Sequence, residues 1–161
     1  PSFETGKIPA KPDMETANMV EIKYFNYYED QTMTVKKGDP GSPIIRCSIF
    51  GEVFKNAMCD LGSSVNILSK DFYENSFFPP MSSTSAYVVL ADQSTCYVEG
   101  IVNDLPVHIR GSYVPADFII LDMGNRKDVP LILGRPFLNT VDACIYVGSG
   151  KMQMTLGRRK E

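Results

Sequence analysis

The feature that most constrains the fold is a succession of short apolar runs, each followed by turn-forming residues such as Gly, Pro, Asp and Ser. The runs occupy residues 44–50, 53–59, 65–68, 87–90, 95–98, 101–110, 114–121, 129–133, 143–147 and 151–156. Most have the length of β-strands. Close pairs of runs, such as 44–50 with 53–59 and 143–147 with 151–156, predict hairpins. The sequence therefore predicts an all-β domain, barrel-like or a sandwich.

Two segments are predicted to be helical. Residues 135–140 form the one short helix expected near the C-terminal third, and residues 69–74 are long enough for a single helical turn with Ser69 as its N-cap.

Breaker residues suggest where the domain begins. Residues 37–43 combine Gly, Asp, Ser and Pro, which favours turns and places the start of the folded domain at residue 38. We expect a domain over 38–157, preceded by an N-terminal extension or linker over 1–37 and followed by a basic tail over 158–161. An amphipathic patch at 20–28 is a candidate strand that docks on the body. The first residue is Pro, so we expect the chain to be part of a longer protein.

Composition excludes several function classes. The 161 residues carry a net charge of −3 and have no long basic run, which argues against nucleic-acid binding. No apolar run approaches the ~20 residues of a membrane span. The four cysteines lack CxxC spacing and there is one histidine, so no metal site is expected. Cys59 and Cys144 lie in apolar stretches and are predicted to be buried, unbridged thiols in a reducing intracellular setting.

Asp60 is the first residue that suggests chemistry. It ends an apolar run and is followed by Leu61 and Gly62, then by small residues. A carboxylate there would lie on a tight loop that the glycine permits. A lone D-x-G triplet is more often an ordinary turn than a catalytic site.

The segment Pro130–Leu138, PLILGRPFL, is the second such feature. An apolar pair followed by Gly134, about 70 residues after Asp60, would let a strand pass close behind the acid-bearing loop. By itself this pattern also fits a buried strand that ends in a turn.

Together these blocks carry a family resemblance. Residues 38–157 resemble the pepsin-like protease domain of Ty3/gypsy retrotransposons, particularly plant elements with D-L-G-[AS]-S at the active loop. The matching blocks, in order, are GDPGSPIIRCSIFGEVFKNAMCDLGSSVNIL, VVLADQS, VPADFIILD and DVPLILGRPFL. The resemblance covers about 120 of the 161 residues.

The resemblance implies a single-lobe, retropepsin-like closed barrel with Asp60 as its one catalytic aspartate. Family members pair two chains, each giving one Asp, around a catalytic water and without a cofactor. The resemblance assigns residues to the active loop and its support, and others to a flap that closes over substrate. The loop and support residues are Leu61, Gly62, Ser63, Ser64, Ile132, Leu133, Gly134 and Arg135. The flap residues are Leu90, Ala91, Asp92, Gln93 and Ser94.

Three positions depart from the family pattern. Leu61 replaces a Thr or Ser whose hydroxyl bonds across the dimer in most relatives, although a Leu–Leu contact could offset that loss. Ser64 replaces an acid that pairs with the arginine in several viral relatives, so Arg135 needs another partner, either Asp142 or a backbone carbonyl. The flap lacks glycines, which predicts a stiffer hairpin that carries Asp92 near substrate.

Two other side chains, of Asp122 and His108, are candidates for catalysis. Asp122 begins a second D-x-G triplet but follows Asp60 too closely for a second complete lobe, so it is interpreted as a hairpin turn. His108 lies in a predicted strand without a G-x-S-x-G partner motif and is interpreted as a surface or edge residue.

The leading hypothesis is therefore an aspartic endopeptidase, a homodimer that cleaves extended segments of its own retrotransposon polyprotein. Its expected location is the cytoplasm, either free or within virus-like particles. The alternative is a catalytically inactive retrotransposon-derived fold that serves as a binding or dimerisation module. Asp60 favours the first hypothesis, and Leu61 with the altered flap favours the second.

Overall fold

A computed structural model describes residues 17–21, 23–25, 41–89, 93–124 and 129–157. Most of the described chain is β-strand. The strands are β1 (Ala17–Glu21), β2 (Lys23–Phe25), β3 (Ser42–Ile49), β4 (Glu52–Cys59), β5 (Asn66–Ser69), β6 (Tyr87–Val89), β7 (Thr95–Ile109), β8 (Ser112–Leu121), β9 (Leu131–Leu133), β10 (Cys144–Tyr146) and β11 (Lys151–Thr155). The helices are α1 (Lys70–Glu74) and α2 (Arg135–Thr140).

The predicted all-β class is confirmed, and the strand pairings close on themselves. The larger sheet has the order β2-β3-β4-β9-β5-β8-β7-β6, and β3 pairs with β7 as well. The ring from β3 through β4, β9, β5, β8 and β7 back to β3 is the connectivity of a closed barrel. A second sheet has the order β1-β11-β10.

The extension contributes strands to both sheets. β1 pairs antiparallel with β11, and β2 pairs antiparallel with β3. These strands overlap the amphipathic patch that the sequence suggested as a docking strand. The remainder of residues 1–40, with most of the breaker cluster, lies outside the described residues.

The helix predictions agree with the structure. α2 occupies the predicted 135–140, and α1 begins after Ser69, whose hydroxyl accepts a hydrogen bond from the Phe72 N–H at 3.4 Å. Such a bond satisfies one of the N–H groups left free in a first helical turn.

The core lies inside the ring of strands. The largest fully buried side chains come from the strands and from α2; they include Phe54, Phe118, Phe137, Leu105, Leu131 and Leu133. Alternate residues of β8 from Val114 to Ile120 face this core, as the period of a strand dictates. In β4 the alternation is interrupted between Phe54 and Ala57, where its pairing with β3 shifts register. A smaller apolar cluster joins Ile67, Val98, Leu121, Val129 and Ile132. No helix among the described residues is both long enough and apolar enough to cross a membrane.

Three sequence interpretations need correction. Runs 95–98 and 101–110 form one strand, β7, because irregularities in its pairing with β8 let the chain bend without leaving the sheet. Cys59 is buried as predicted, but Cys144 is exposed, since β10 pairs on only one side and its residues alternate towards solvent. The first hairpin turns at Phe50 and Gly51, both at positive φ, one residue before the predicted turn.

Candidate functional site

Asp60 follows directly after β4 and is half-buried. Its N–H donates to the carbonyl of Leu133 at 2.9 Å, which continues the parallel pairing of β4 with β9. Its Oδ1 accepts the Gly62 N–H at 2.8 Å. The carboxylate is therefore oriented by its own loop, and its other oxygen keeps its lone pairs for a further partner.

Gly62 makes this orientation possible. A Cβ at that position would lie 3.1 Å from Oδ1 of Asp60, which is tighter than ordinary packing allows. The loop closes with a bond from the Ser63 N–H to the Asp60 carbonyl at 3.2 Å. The Ser63 hydroxyl donates to the Val65 carbonyl at 2.7 Å, so this side chain is bonded to the backbone two residues further along the loop. Leu61 and Ser64 both point to solvent, and Leu61 is 60% exposed.

Gly134 supports the loop from behind. A Cβ there would fall against the carbonyl oxygen of Val65 and 2.8 Å from that of Ser63. Its φ of −89° is open to any residue, so contact with the loop, and not backbone conformation, demands glycine here. The two halves of the predicted site are thereby brought together: the LILG segment packs against the loop that follows Asp60.

Arg135 also reaches the loop. Its N–H donates to the Ser63 carbonyl at 2.9 Å, and its Nη1 donates to the Leu61 carbonyl at 3.2 Å. Of the two partners that the sequence left open, the structure has the backbone carbonyl and not Asp142. Ile132 is buried between β4 and β5, where it pairs with Met58 and Ile67.

Asn66 is a residue that the sequence analysis missed. Its side chain is polar yet only 2% exposed, and no other polar or charged residue among those described is buried. Its Oδ1 accepts the Gly134 N–H at 2.8 Å, and its Nδ2 donates to the Asp117 carbonyl at 3.0 Å. This amide ties β5 to both β8 and the supporting glycine. The available signal was a lone Asn within the apolar run 65–68.

The flap region is described only in part. Leu90, Ala91 and Asp92 lie outside the described residues. Gln93 has a φ of 69°, so the connection from β6 to β7 does contain a left-handed turn residue, and Ser94 follows it. Behind this hairpin, Val88 and Cys96 pack on the smaller apolar cluster.

The second D-x-G triplet has similar local geometry but a different place in the fold. Oδ1 of Asp122 accepts the Gly124 N–H at 3.0 Å, as Asp60 accepts that of Gly62. Its interpretation as a hairpin turn is wrong, because β8 and β9 do not pair and lie on either side of β5. The interpretation of His108 as a strand residue near the surface agrees with its half-buried position in β7.

Among known proteins, the chain has similarity to solved structures but not to family profiles or curated sequences. No family profile and no curated protein sequence matches the chain. Among solved structures, the retroviral protease-like domain of Ddi1 from Leishmania major has a TM-score of 0.56 at 18% identity, covering 70% of this chain and 87% of that chain.

Two further structures give the same result. A retropepsin-like aspartic protease from Rickettsia conorii has a TM-score of 0.56 at 14% identity, covering 86% of this chain and 90% of that one. EIAV protease, in complex with the inhibitor HBY-793, has a TM-score of 0.51 at 16% identity, covering 73% and 100%. Together with the strand content and connectivity, these similarities show that the chain has a retropepsin-like fold.

Proposed function

We propose that this domain is an aspartic endopeptidase that acts as a homodimer with one Asp60 from each chain. One observation carries the proposal: the loop of Asp60 is braced by the chain itself, with Gly134 and Arg135 packed and hydrogen-bonded behind it. A braced, half-exposed carboxylate is a preorganised catalytic group, whereas a turn aspartate needs no such support.

A second carboxylate is needed because a lone ionised aspartate does not both activate water and polarise an amide. Two carboxylates about 3 Å apart repel by roughly 5 kcal/mol at an effective dielectric of 20, so the pair shares one proton. Aspartic proteases are the standard example of such a pair. The ionised partner takes a proton from the catalytic water as it attacks, and the protonated partner donates to the carbonyl oxygen.

The substrate that suits this fold is an extended peptide. A flap hairpin over the site would add backbone hydrogen bonds along an extended chain and exclude bulk water. We propose that the physiological substrate is the polyprotein of a plant-type Ty3/gypsy retrotransposon. The free thiols of Cys47, Cys59, Cys96 and Cys144 suit the reducing cytoplasm, where such a polyprotein is made and assembled into particles.

Cleavage of a peptide library from pH 4 to 7 tests the catalytic assignment. Asp60→Asn is expected to abolish pepstatin-sensitive cleavage, because the amide neither ionises nor shares a proton. Asp122→Asn is the matched control, since it alters an aspartate with the same local hydrogen bond. Cleavage that survives in Asp60→Asn, or is lost equally in both variants, would refute the assignment.

Leu61 provides a test of the dimer. We expect its exposed side chain to be buried against the partner's active loop. Leu61→Ala removes three carbons from a side chain that is 60% exposed, about 1.4 kcal/mol per chain and about 3 kcal/mol per dimer. The dimer Kd should therefore rise roughly a hundredfold.

Sedimentation across a concentration series measures this change. Val53→Ala is the control, since Val53 is 46% exposed at the opposite end of β4. An unchanged Kd in Leu61→Ala would place the interface elsewhere, and a wild-type chain that stays monomeric would contradict the dimer.

The alternative is a catalytically inactive module that uses the same fold for binding or dimerisation. Leu61 favours it, since a leucine supplies no hydroxyl for a bond across the dimer. Wild-type protein that binds pepstatin-like peptides and dimerises, yet cleaves nothing in the library, would decide for this alternative.

A further inference from the structure

A cationic groove lies on the outer face of the barrel, away from Asp60. In the β3–β7 pairing, Ser48 is opposite His108. Val53 of β4 lies beyond Ser48, and Tyr113 of β8 lies beyond His108, so the four residues form a row across four strands. Val53 is seven residues before Asp60 along β4, about 20 Å away at the rise of a strand.

The groove is a cavity of about 510 Å³ with basic walls. It is lined by Arg46, Cys47, Ser48, Val53, His108, Ile109 and Arg110. This volume is within the range of small-ligand sites and could hold a few residues of peptide. None of the lining residues is acidic, although the whole chain has a net charge of −3. The groove therefore has a positive charge although the chain as a whole is negative.

Arg46 and Arg110 are both exposed. In the described parts of residues 41–157, no acidic side chain lies within ion-pair distance of either guanidinium group. Lys55 is exposed two residues after Val53 and so lies on the same face of β4. Guanidinium groups bind carboxylates through paired, charge-assisted hydrogen bonds, which makes them suited to anionic ligands.

The floor beside the two arginines is polar and held in place. The Ser48 hydroxyl lies 3.5 Å from Nδ1 of His108. The His108 ring stacks on Tyr113, with centroids 4.6 Å apart and planes inclined at 28°. Val53 adds an apolar edge that is 46% exposed. A ligand would therefore meet two cations, a hydroxyl–imidazole pair and one apolar contact.

We propose that this groove binds an acidic peptide segment of a partner protein, with carboxylates on the guanidinium groups of Arg46 and Arg110. An extended peptide places alternate side chains on one face about 7 Å apart, so its carboxylates can reach the guanidinium groups while its backbone continues over the polar floor beside them. A site of this kind would hold a partner or a remote part of a substrate without using the loop of Asp60. The proposal does not depend on proteolysis.

Fluorescence anisotropy with a labelled twelve-residue peptide of alternating Glu and Ser tests the proposal. Arg46→Gln and Arg110→Gln are each expected to weaken binding about tenfold, and raised salt should weaken binding of the wild type. Lys151→Gln, which removes an exposed cation from β11, is the matched control and should change affinity less than twofold. Arg46→Lys should retain part of the affinity, since the charge remains but the paired geometry is lost.

Three results would overturn the proposal. One is equal binding of a matched peptide with Gln in place of Glu. Another is equal loss of affinity in Lys151→Gln and the two arginine variants, which would indicate attraction to net charge alone. The third is tighter binding of inorganic phosphate or of a single-stranded oligonucleotide than of the acidic peptide. Far-ultraviolet circular dichroism of each variant verifies that the fold is retained.

Discussion

Gly134→Ala measures how tightly the support packs against the loop of Asp60. The added methyl would fall against the Val65 carbonyl and 2.8 Å from the Ser63 carbonyl. Both are backbone atoms, so neither can move aside as the end of a side chain could. Each also accepts a hydrogen bond: Ser63 accepts from the Arg135 N–H at 2.9 Å, and Val65 accepts from the Ser63 hydroxyl at 2.7 Å.

The expected cost combines two effects. Overpacking of a rigid site costs about 1–3 kcal/mol, and weakening two hydrogen bonds adds about 1 kcal/mol each. Since the φ of Gly134 is −89°, alanine has no backbone strain there and gains a few tenths of a kcal/mol from a less flexible unfolded chain. We therefore expect the free energy of unfolding to fall by about 3–5 kcal/mol, a large share of the 5–15 kcal/mol typical of a domain.

Chemical denaturation of three alanine variants measures the effect. Gly148→Ala is the control, since a Cβ there meets nothing within 4 Å, and it should be neutral or slightly stabilising. Gly100→Ala should fall between the two, because its Cβ would meet the flexible side chain of Met81 and one carbonyl, that of Ser82. If Gly134→Ala lies within about 0.5 kcal/mol of Gly148→Ala, the close packing of the support against the loop is refuted.

Three further predictions concern buried groups. Asn66→Leu leaves the N–H of Gly134 and the carbonyl of Asp117 without a partner, so it should lower the free energy of unfolding by about 2–4 kcal/mol in chemical denaturation. The same change at the exposed Asn56 is the control and should lower it little. Equal losses in the two variants would contradict the role of the Asn66 amide. Burial raises the pKa of the Cys47 and Cys59 thiols to about 12. The folded state therefore keeps protons that the unfolded state loses above its ordinary thiol pKa, and stability should fall as pH rises from about 9 towards 12. A thiol reagent at pH 8 should label Cys144 in the native protein but Cys47 and Cys59 only on unfolding. Rapid labelling of Cys47 and Cys59 in the native protein would contradict the burial of these two thiols.

Local patterns in the sequence predicted most strands because each strand has a buried face and a turn at its end. The Ser69 cap was likewise predictable, since its partner is three residues away. Longer-range facts were not. The burial of Cys144 was predicted from apolar neighbours, but exposure depends on whether β10 has a strand on each side. Likewise, nothing in the order of residues indicates that β8 and β9 are separated by β5.

Asn66 shows the same limit within the site. Its partners are 51 and 68 positions away along the chain, so their proximity follows from the closed ring of strands and not from any local pattern. The sequence did place Gly134 behind the loop, through the apolar pair and glycine that follow Asp60 by about 70 residues and through the family resemblance. The structure supplies the physical reason, since a Cβ at this position would clash with the carbonyl groups of Ser63 and Val65.

The comparison of Asp60 with Asp122 shows what distinguishes a candidate catalytic aspartate from a turn. Both accept a hydrogen bond from the glycine two residues on, so the D-x-G triplet alone specifies only this local bond. Asp60 and the loop after it are additionally hydrogen-bonded to Leu133 and Arg135 of the supporting segment. Among the described residues, the long-range bond at Asp122 is a weaker one, from the thiol of Cys96 to the Asp122 carbonyl at 3.8 Å. Holding a carboxylate in one orientation costs conformational entropy, which such long-range contacts offset. The spatial support, and not the triplet, is therefore the reason to assign the chemistry to Asp60.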